Sequence, residues 1–250
     1  RDRSVSRGLG DVYKRQAGNR RLEVSQDGEW CRFDCEQEEF DNFWRDYFDL
    51  DTDYSQYLER INPRDIYLVQ AAEVGWGIRI LHQDLWEMIV TFLISQQNNI
   101  TRIRRCVENI CEKYGQRCED ENGIVYYGFP EPQALAELDE NALMECNLGY
   151  RSKYVVRTAK MIASGEFDLE AVKHMSYSKA KPCLMTLFGV GEKVADCICL
   201  FSLHQLQSFP VDTHIRQALD AHYKRGFPNR RYRGIQGVMQ QYIFYYELGK

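Results

Sequence analysis

Phe188-Gly189-Val190-Gly191-Glu192-Lys193-Val194-Ala195-Asp196 joins two helical patterns, about 178–187 and 192–203, across a glycine turn. Glycine accepts sharp turns and lets a ligand approach the backbone. The amides that open the second helix lack partners in a preceding turn and lie at the positive end of the helix dipole, which suits a phosphate. Lys193 lies in that first turn, where the dipole disfavours a cation by about 0.3–1 kcal/mol. The same field favours the neutral amine, and a partly desolvated neutral lysine is a Schiff-base nucleophile. A plain αα-hairpin with a solvated lysine fits the same stretch taken alone.

Working outward, Phe209-Pro210-Val211-Asp212-Thr213-His214 places a carboxylate 19 residues after Lys193. Asp212 is a good N-cap for a helix running to about Tyr223, and capping keeps the carboxylate ionised and rigid. His214 lies at the same helix start, within reach of a phosphate. Cys197 follows Lys193 by four residues and shares its face. Gln240 and Phe244 share a face of the last helix, about 237–248, where an amide and a ring can read and stack a flat base. Ser95-Gln96-Gln97-Asn98-Asn99, followed by Arg102, is a polar run between apolar helices, and amides and arginines of this kind can reach base edges. Each of these residues also has an ordinary structural use: a cap, a small buried thiol, core filler or a loop.

The 250 residues are 44% hydrophobic and 13% aromatic, enough for a real core and unlike a disordered chain. No apolar run reaches the ~18 residues of a membrane span. The nine cysteines form no Cys-x-x-Cys pair, which points away from a zinc ribbon or a ferredoxin-type cluster. Reduced thiols, no cofactor, no metal and a cytoplasmic, prokaryote-like chain without a leader are the expectations. The net charge of −5 hides an asymmetry. Residues 1–146 hold 17 Lys/Arg against 29 Asp/Glu, and residues 147–250 hold 15 against 8, so the half with the glycine turn is basic.

Residues 1–16 have almost no apolar periodicity and resemble a translated sequencing-adapter remnant, so they are set aside as non-native, with the true N-terminus expected to be missing. Residues 17–60 read as the remnant of an N-terminal β/α domain. In it Arg21–Val24 and Trp30–Phe33 alternate around an Asp27-Gly28 turn. Residues 61–250 read as a helical domain with the hairpin at 178–203. Helices are expected over 36–48, 65–74, 84–95, 99–114, 131–138, 140–146, 152–164 and 168–175.

Together these segments resemble the helix-hairpin-helix base-excision superfamily, and within it the 8-oxoguanine DNA glycosylase/AP lyase family. The resemblance covers about 20–250 and rests on Ser95–Arg105, Leu148–Tyr154, Leu187–Cys199, Pro210–His214, and Gln240 with Phe244. It implies a mainly α fold of two helical subdomains with a remnant of an antiparallel sheet. It implies that Lys193 attacks the sugar C1′, expels the oxidised purine and holds the sugar as a Schiff base before β-elimination. Asp212 would stabilise the charged sugar. The amides of Gly189, Gly191 and Val194, with His214, would grip phosphates, and Cys197, Gln240 and Phe244 would line the flipped-base pocket. Arg102 and Arg151 would read the orphaned cytosine, with Tyr150 wedged into the stack. Gln97 stands where the family usually has a gap-filling asparagine, and Phe188 where it usually has a proline. The family's first sheet residues, with the glycine that distinguishes the oxidised purine from guanine, are absent.

The implied partner is duplex DNA with oxidised purine opposite cytosine, bound by a monomer that does not engage a membrane. An alkylpurine glycosylase of the same superfamily stays as an alternative, although those usually act without a lysine nucleophile. A non-catalytic DNA-binding module that uses the hairpin only for phosphates is another. A fragment left misfolded by its truncated sheet is a third.

Overall fold

Asn99 begins the longest helix by a local device: its side chain accepts from the Arg102 amide at 2.9 Å, satisfying an orphan donor of the first turn. Asp65 does the same for the Leu68 amide at 3.1 Å. The computed structural model describes residues 11–249, except Glu29 and Glu121. The described helices of eight or more residues are α1 (Ile66–Val74), α2 (Leu85–Ser95), α3 (Ile100–Tyr114), α4 (Ser152–Ala163), α5 (Tyr177–Leu184), α6 (Glu192–Phe201), α7 (Thr213–His222) and α8 (Gln236–Gly249). The strands are β1 (Asp11–Ala17), β2 (Arg20–Asp27), β3 (Trp30–Asp34), β4 (Arg117–Glu119) and β5 (Val125–Tyr127). No described helix is long and apolar enough to cross a membrane.

The chain divides into two units, each built from two separate stretches. Unit 1 takes the chain up to Trp44 and Trp86–Leu169; unit 2 takes Arg45–Leu85 and Glu170–Lys250. In unit 1, β1, β2 and β3 form an antiparallel sheet in that order. The sheet departs from the sequence expectation. Residues 11–16, set aside as foreign to the fold, belong to β1, which pairs with β2 from Asp11↔Gln26 to Ala17↔Arg20. Strand pairing needs only backbone donors and acceptors, so a stretch without apolar periodicity can still add to an edge. Residues 1–10 lie outside the described residues. A second departure is the β4–β5 hairpin, where no element was expected. Its turn is fixed by Asp120, whose carboxylate accepts from the amides of Asn122 and Ile124.

Unit 2 centres on a core shared by its two stretches. Tyr54, Leu68, Ala71 and Ile80 from the first pack with Leu200, Ile215, Tyr232, Val238, Tyr242 and Ile243 from the second. A buried Leu, Ile or Phe-sized side chain contributes about 1.5–3 kcal/mol, so this cluster outweighs any single cap or ion pair. One glycine sets the spacing that matters for the site. A Cβ at Gly237 would lie 2.5 Å from Leu200 Cδ1 and 2.6 Å from the Ser208 carbonyl oxygen. Only glycine lets the start of α8 come this close, and its amide then donates to Leu206 O at 2.7 Å.

Candidate active site

The site is assembled within unit 2 by α6, α7, α8 and the segment 202–212. Gly189 has φ +90°, a conformation glycine adopts without penalty, and it turns the chain from α5 toward α6. Gly191 is the N-cap of α6 with extended backbone (φ −94°, ψ 179°), offers no side-chain cap, and has open space around it. Only one of the two turn glycines is therefore required by conformation. The open approach at Gly191 leaves room for a ligand at the helix start. Val194 buries its side chain, anchoring that first turn in the core.

Lys193 is half-buried and Cys197, one turn along, is 4% exposed. Burial pushes the Cys197 thiol up to about 12, while the Lys193 cation pulls it down and the Asp212 carboxylate pushes it further up. Asp212 caps α7, its Oδ1 accepting from the Ile215 amide at 2.8 Å.

The loop that carries Asp212 is tied at two points. Ser208 Oγ donates to the Asp196 backbone carbonyl at 2.8 Å, and Gln240 Nε2 donates to Pro210 O at 3.0 Å. Gln240 is buried and its Oε1 also accepts from Gln241 Nε2 at 2.6 Å. A carboxamide has two donors and two lone pairs, and these two bonds use one of each. Phe244 lies one turn on, its ring 6.5 Å from the exposed His214 ring in an edge-on arrangement.

Sequence reasoning missed the buried Asp196, three residues after Lys193. It accepts from Tyr177 Oη at 2.6 Å, from Lys181 Nζ at 3.0 Å and from Ser208 Oγ at 3.2 Å. Burial, and then this hydrogen bond, raise the Tyr177 pKa. The network locks α5, α6 and the Asp212 loop together. Its only sequence signal was an aspartate on a helix face otherwise bound for the core.

Gln97, Arg102, Tyr150 and Arg151 lie together in unit 1. Gln97 is exposed and left-handed (φ +46°), a conformation costly for a residue with a Cβ. Tyr150 is 47% exposed and Arg102 donates to Asn147 O at 3.4 Å. Arg151 is held by the chain itself. It is 4% exposed, and its guanidinium donates to Gln96 O at 2.8 Å, Gln97 O at 3.0 Å and Leu148 O at 3.2 Å, while stacking on the Tyr150 ring. A side chain so engaged holds the Gln97 loop and Tyr150 in place.

Residues 10–89 match the 8-oxoguanine DNA glycosylase N-terminal domain, and residues 90–229 match the HhH-GPD superfamily of base excision DNA repair proteins. The N-glycosylase/DNA lyase of Saccharomyces cerevisiae is 32% identical over 71% of this chain and 50% of its own. The N-glycosylase/DNA lyase OGG1 of Arabidopsis thaliana is 32% identical over 69% of this chain and 48% of its own. The chain spans about half the length of these curated relatives. The Clostridium acetobutylicum 8-oxoguanine glycosylase/lyase, solved with duplex DNA containing cytosine opposite 8-oxoG, superposes with a TM-score of 0.87 at 36% identity, covering 95% of this chain and 85% of that one. The chain belongs to the HhH-GPD superfamily of base-excision DNA repair proteins, in its 8-oxoguanine DNA glycosylase family.

Proposed function

We propose that this chain excises 8-oxoguanine from duplex DNA and then cleaves the strand at the resulting abasic sugar. The observation that carries the proposal is a lysine in the first turn of α6 and an aspartate capping α7, in a chain of the 8-oxoguanine DNA glycosylase family. The neutral Lys193 amine attacks C1′. The bond to the base breaks, and its electron pair leaves with the base, which takes up a proton. Ring opening gives an iminium between Nζ and C1′. Loss of a C2′ proton then drives cleavage of the C3′–O bond, and the 3′ phosphate departs. Asp212 stabilises the positive charge that develops on the sugar, held ready by its cap bond to Ile215.

The first turn of α6 and His214 grip the backbone phosphates. Gln240 offers its remaining N–H and lone pair to the base edge, and Phe244 stacks on the base plane. Gln97, Arg102 and Tyr150 face the opposite strand, with Arg151 positioning them. Action as a cytoplasmic monomer belongs to the same proposal.

Borohydride trapping on an 8-oxoguanine·cytosine duplex tests it. A covalent adduct that disappears in Lys193→Gln is expected. An adduct on a preformed abasic site alone would remove lesion recognition from the proposal. No adduct on either duplex, from folded protein, would sink lysine catalysis and favour a binding module.

A further inference from the structure

Unit 2 holds a second cluster of chemistry-bearing residues that the excision chemistry does not use. Asp49, His82 and His204 come from three separate stretches, and one ligand atom of each lies within 4.8 Å of the other two. Asp49 is buried (side chain 8% exposed), His204 is 19% exposed and His82 is 32% exposed. The two imidazole rings stack with centroids 3.9 Å apart.

The three side chains are close enough to close on one ion. His204 Nε2 lies 3.3 Å from Asp49 Oδ2, and His82 Nε2 lies 3.6 Å from Asp49 Oδ1. The second is too long for a hydrogen bond. Ligands at about 2.0–2.2 Å around a tetrahedral zinc ion are separated by roughly 3.3 Å, near both values; the two values are to different carboxylate oxygens, and the stacked rings must turn to aim both nitrogens at one ion. The carboxylate is oriented in the way metal ligands are: Thr52 Oγ1 donates to Oδ1 at 2.6 Å and Tyr54 Oη to Oδ2 at 2.7 Å. Tyr54 Oη in turn accepts from the Ile80 amide at 2.8 Å, so the support is itself fixed. Asp46 Oδ1, 4.0 Å from His82 Nδ1, adds a second negative charge at the exposed side, through which an ion and a water ligand can enter.

Backbone strain marks the same place. Asp49 (φ +52°) and His204 (φ +50°) are two of the four described non-glycine residues with left-handed backbone. Such residues persist where surroundings over-determine them and gather at functional sites. The cysteine spacing that argued against a metal does not bear on this cluster, whose donors are imidazole and carboxylate.

We infer that Asp49, His82 and His204 form a zinc site, with water as the fourth ligand. In the metal-free protein His204 Nε2 lies 3.2 Å from the Ile80 carbonyl, and the ring can donate a proton to it. Metal binding requires the other tautomer and takes over that nitrogen's lone pair. The bound ion would staple the segment after α6 to residues 49 and 82, and this segment leads into the Asp212 loop.

Zinc titration of the metal-stripped full chain tests this, read by stoichiometry and by the zinc-dependent shift in Tm. His82→Gln and His204→Asn serve as comparisons, asparagine being chosen because it tolerates left-handed backbone. Each variant is checked by circular dichroism, and either one decides if the other misfolds. The expected result is one zinc equivalent and an upward Tm shift in the parent protein, both lost in the variant. Cobalt substitution of that equivalent should show tetrahedral d–d bands without a thiolate charge-transfer band, which separates it from binding at exposed cysteines such as Cys31. Equal stoichiometry and Tm shift in parent and variant, no zinc bound by the parent, or a thiolate band from the lost equivalent would each overturn the assignment.

Discussion

Replacing Asp196 by alanine should cost about 3 kcal/mol of stability, and the figure can be built from its partners. The carboxylate accepts from Tyr177 Oη, Lys181 Nζ and Ser208 Oγ. Ser208 has one proton, and the Asp196 backbone carbonyl, at 2.8 Å, takes it better than the carboxylate does, so that bond survives. Two charge-assisted bonds are lost, each contributing about 1.5–3 kcal/mol. Lys181 is 24% exposed and regains water, which pulls the sum toward the lower end of the roughly 3–5 kcal/mol seen when a buried pair is broken. For a chain of this size, about 3 kcal/mol lowers Tm by roughly 6–12 °C. Urea denaturation followed by far-ultraviolet circular dichroism, with a parallel thermal scan, gives both numbers. A loss of about 0–1 kcal/mol, the range of an exposed ion pair, would refute the claim that this network locks α5 and α6 together.

Asp212→Ser should keep the cap and the stability to within a few tenths of a kcal/mol, whereas Asp212→Ala should lose about 1 kcal/mol in urea denaturation. Both should cut single-turnover excision by about 100-fold or more, which separates the carboxylate's chemistry from its capping. Gly237→Ala should destabilise by about 1–3 kcal/mol, because its Cβ meets the Ser208 carbonyl. Gly191→Ala should change denaturation by less than about 0.5 kcal/mol yet weaken DNA binding in fluorescence anisotropy, because its methyl occupies open space at the helix start. Cys197, its thiol pushed up to about 12 by burial, should resist iodoacetamide at pH 8 in the folded protein while exposed Cys31 is alkylated, as peptide mass spectrometry would show.

Much of this molecule is written locally. Asn99, Asp65 and Asp212 each announce a helix start, and each caps one. Periodicity marked α3 and α8 to within a residue or two. What could not be read depends on partners distant in sequence. β4 and β5 are three residues each, too short to alternate, and their turn is set by one aspartate. β1 carries no apolar pattern and is defined by its pairing with β2. The candidate site could be proposed from sequence because an amine, a carboxylate and a glycine turn stand at fixed offsets. That Arg151 lies against three backbone carbonyls could not be read, because no residue type advertises such acceptors. Asp196 and the Asp49–His82–His204 cluster depend on contacts between stretches that sequence offsets do not reveal.

The interleaving of the two units governs how this chain can be made. Residues 45–85 leave the ribosome early, yet their apolar partners, Leu200 to Ile243, follow more than a hundred positions later. Unit 1 has all its residues by Leu169 and can close its core while synthesis continues. Unit 2 must keep Leu68, Ile80 and their neighbours waiting, exposed to solvent or to chaperones, until α8 emerges. Loop closure over that separation is slow, because its entropy is spent before any contact repays it. Translation stalled or ended before residue 236 would therefore release a half-folded molecule with an open apolar face, a natural substrate for quality-control proteases.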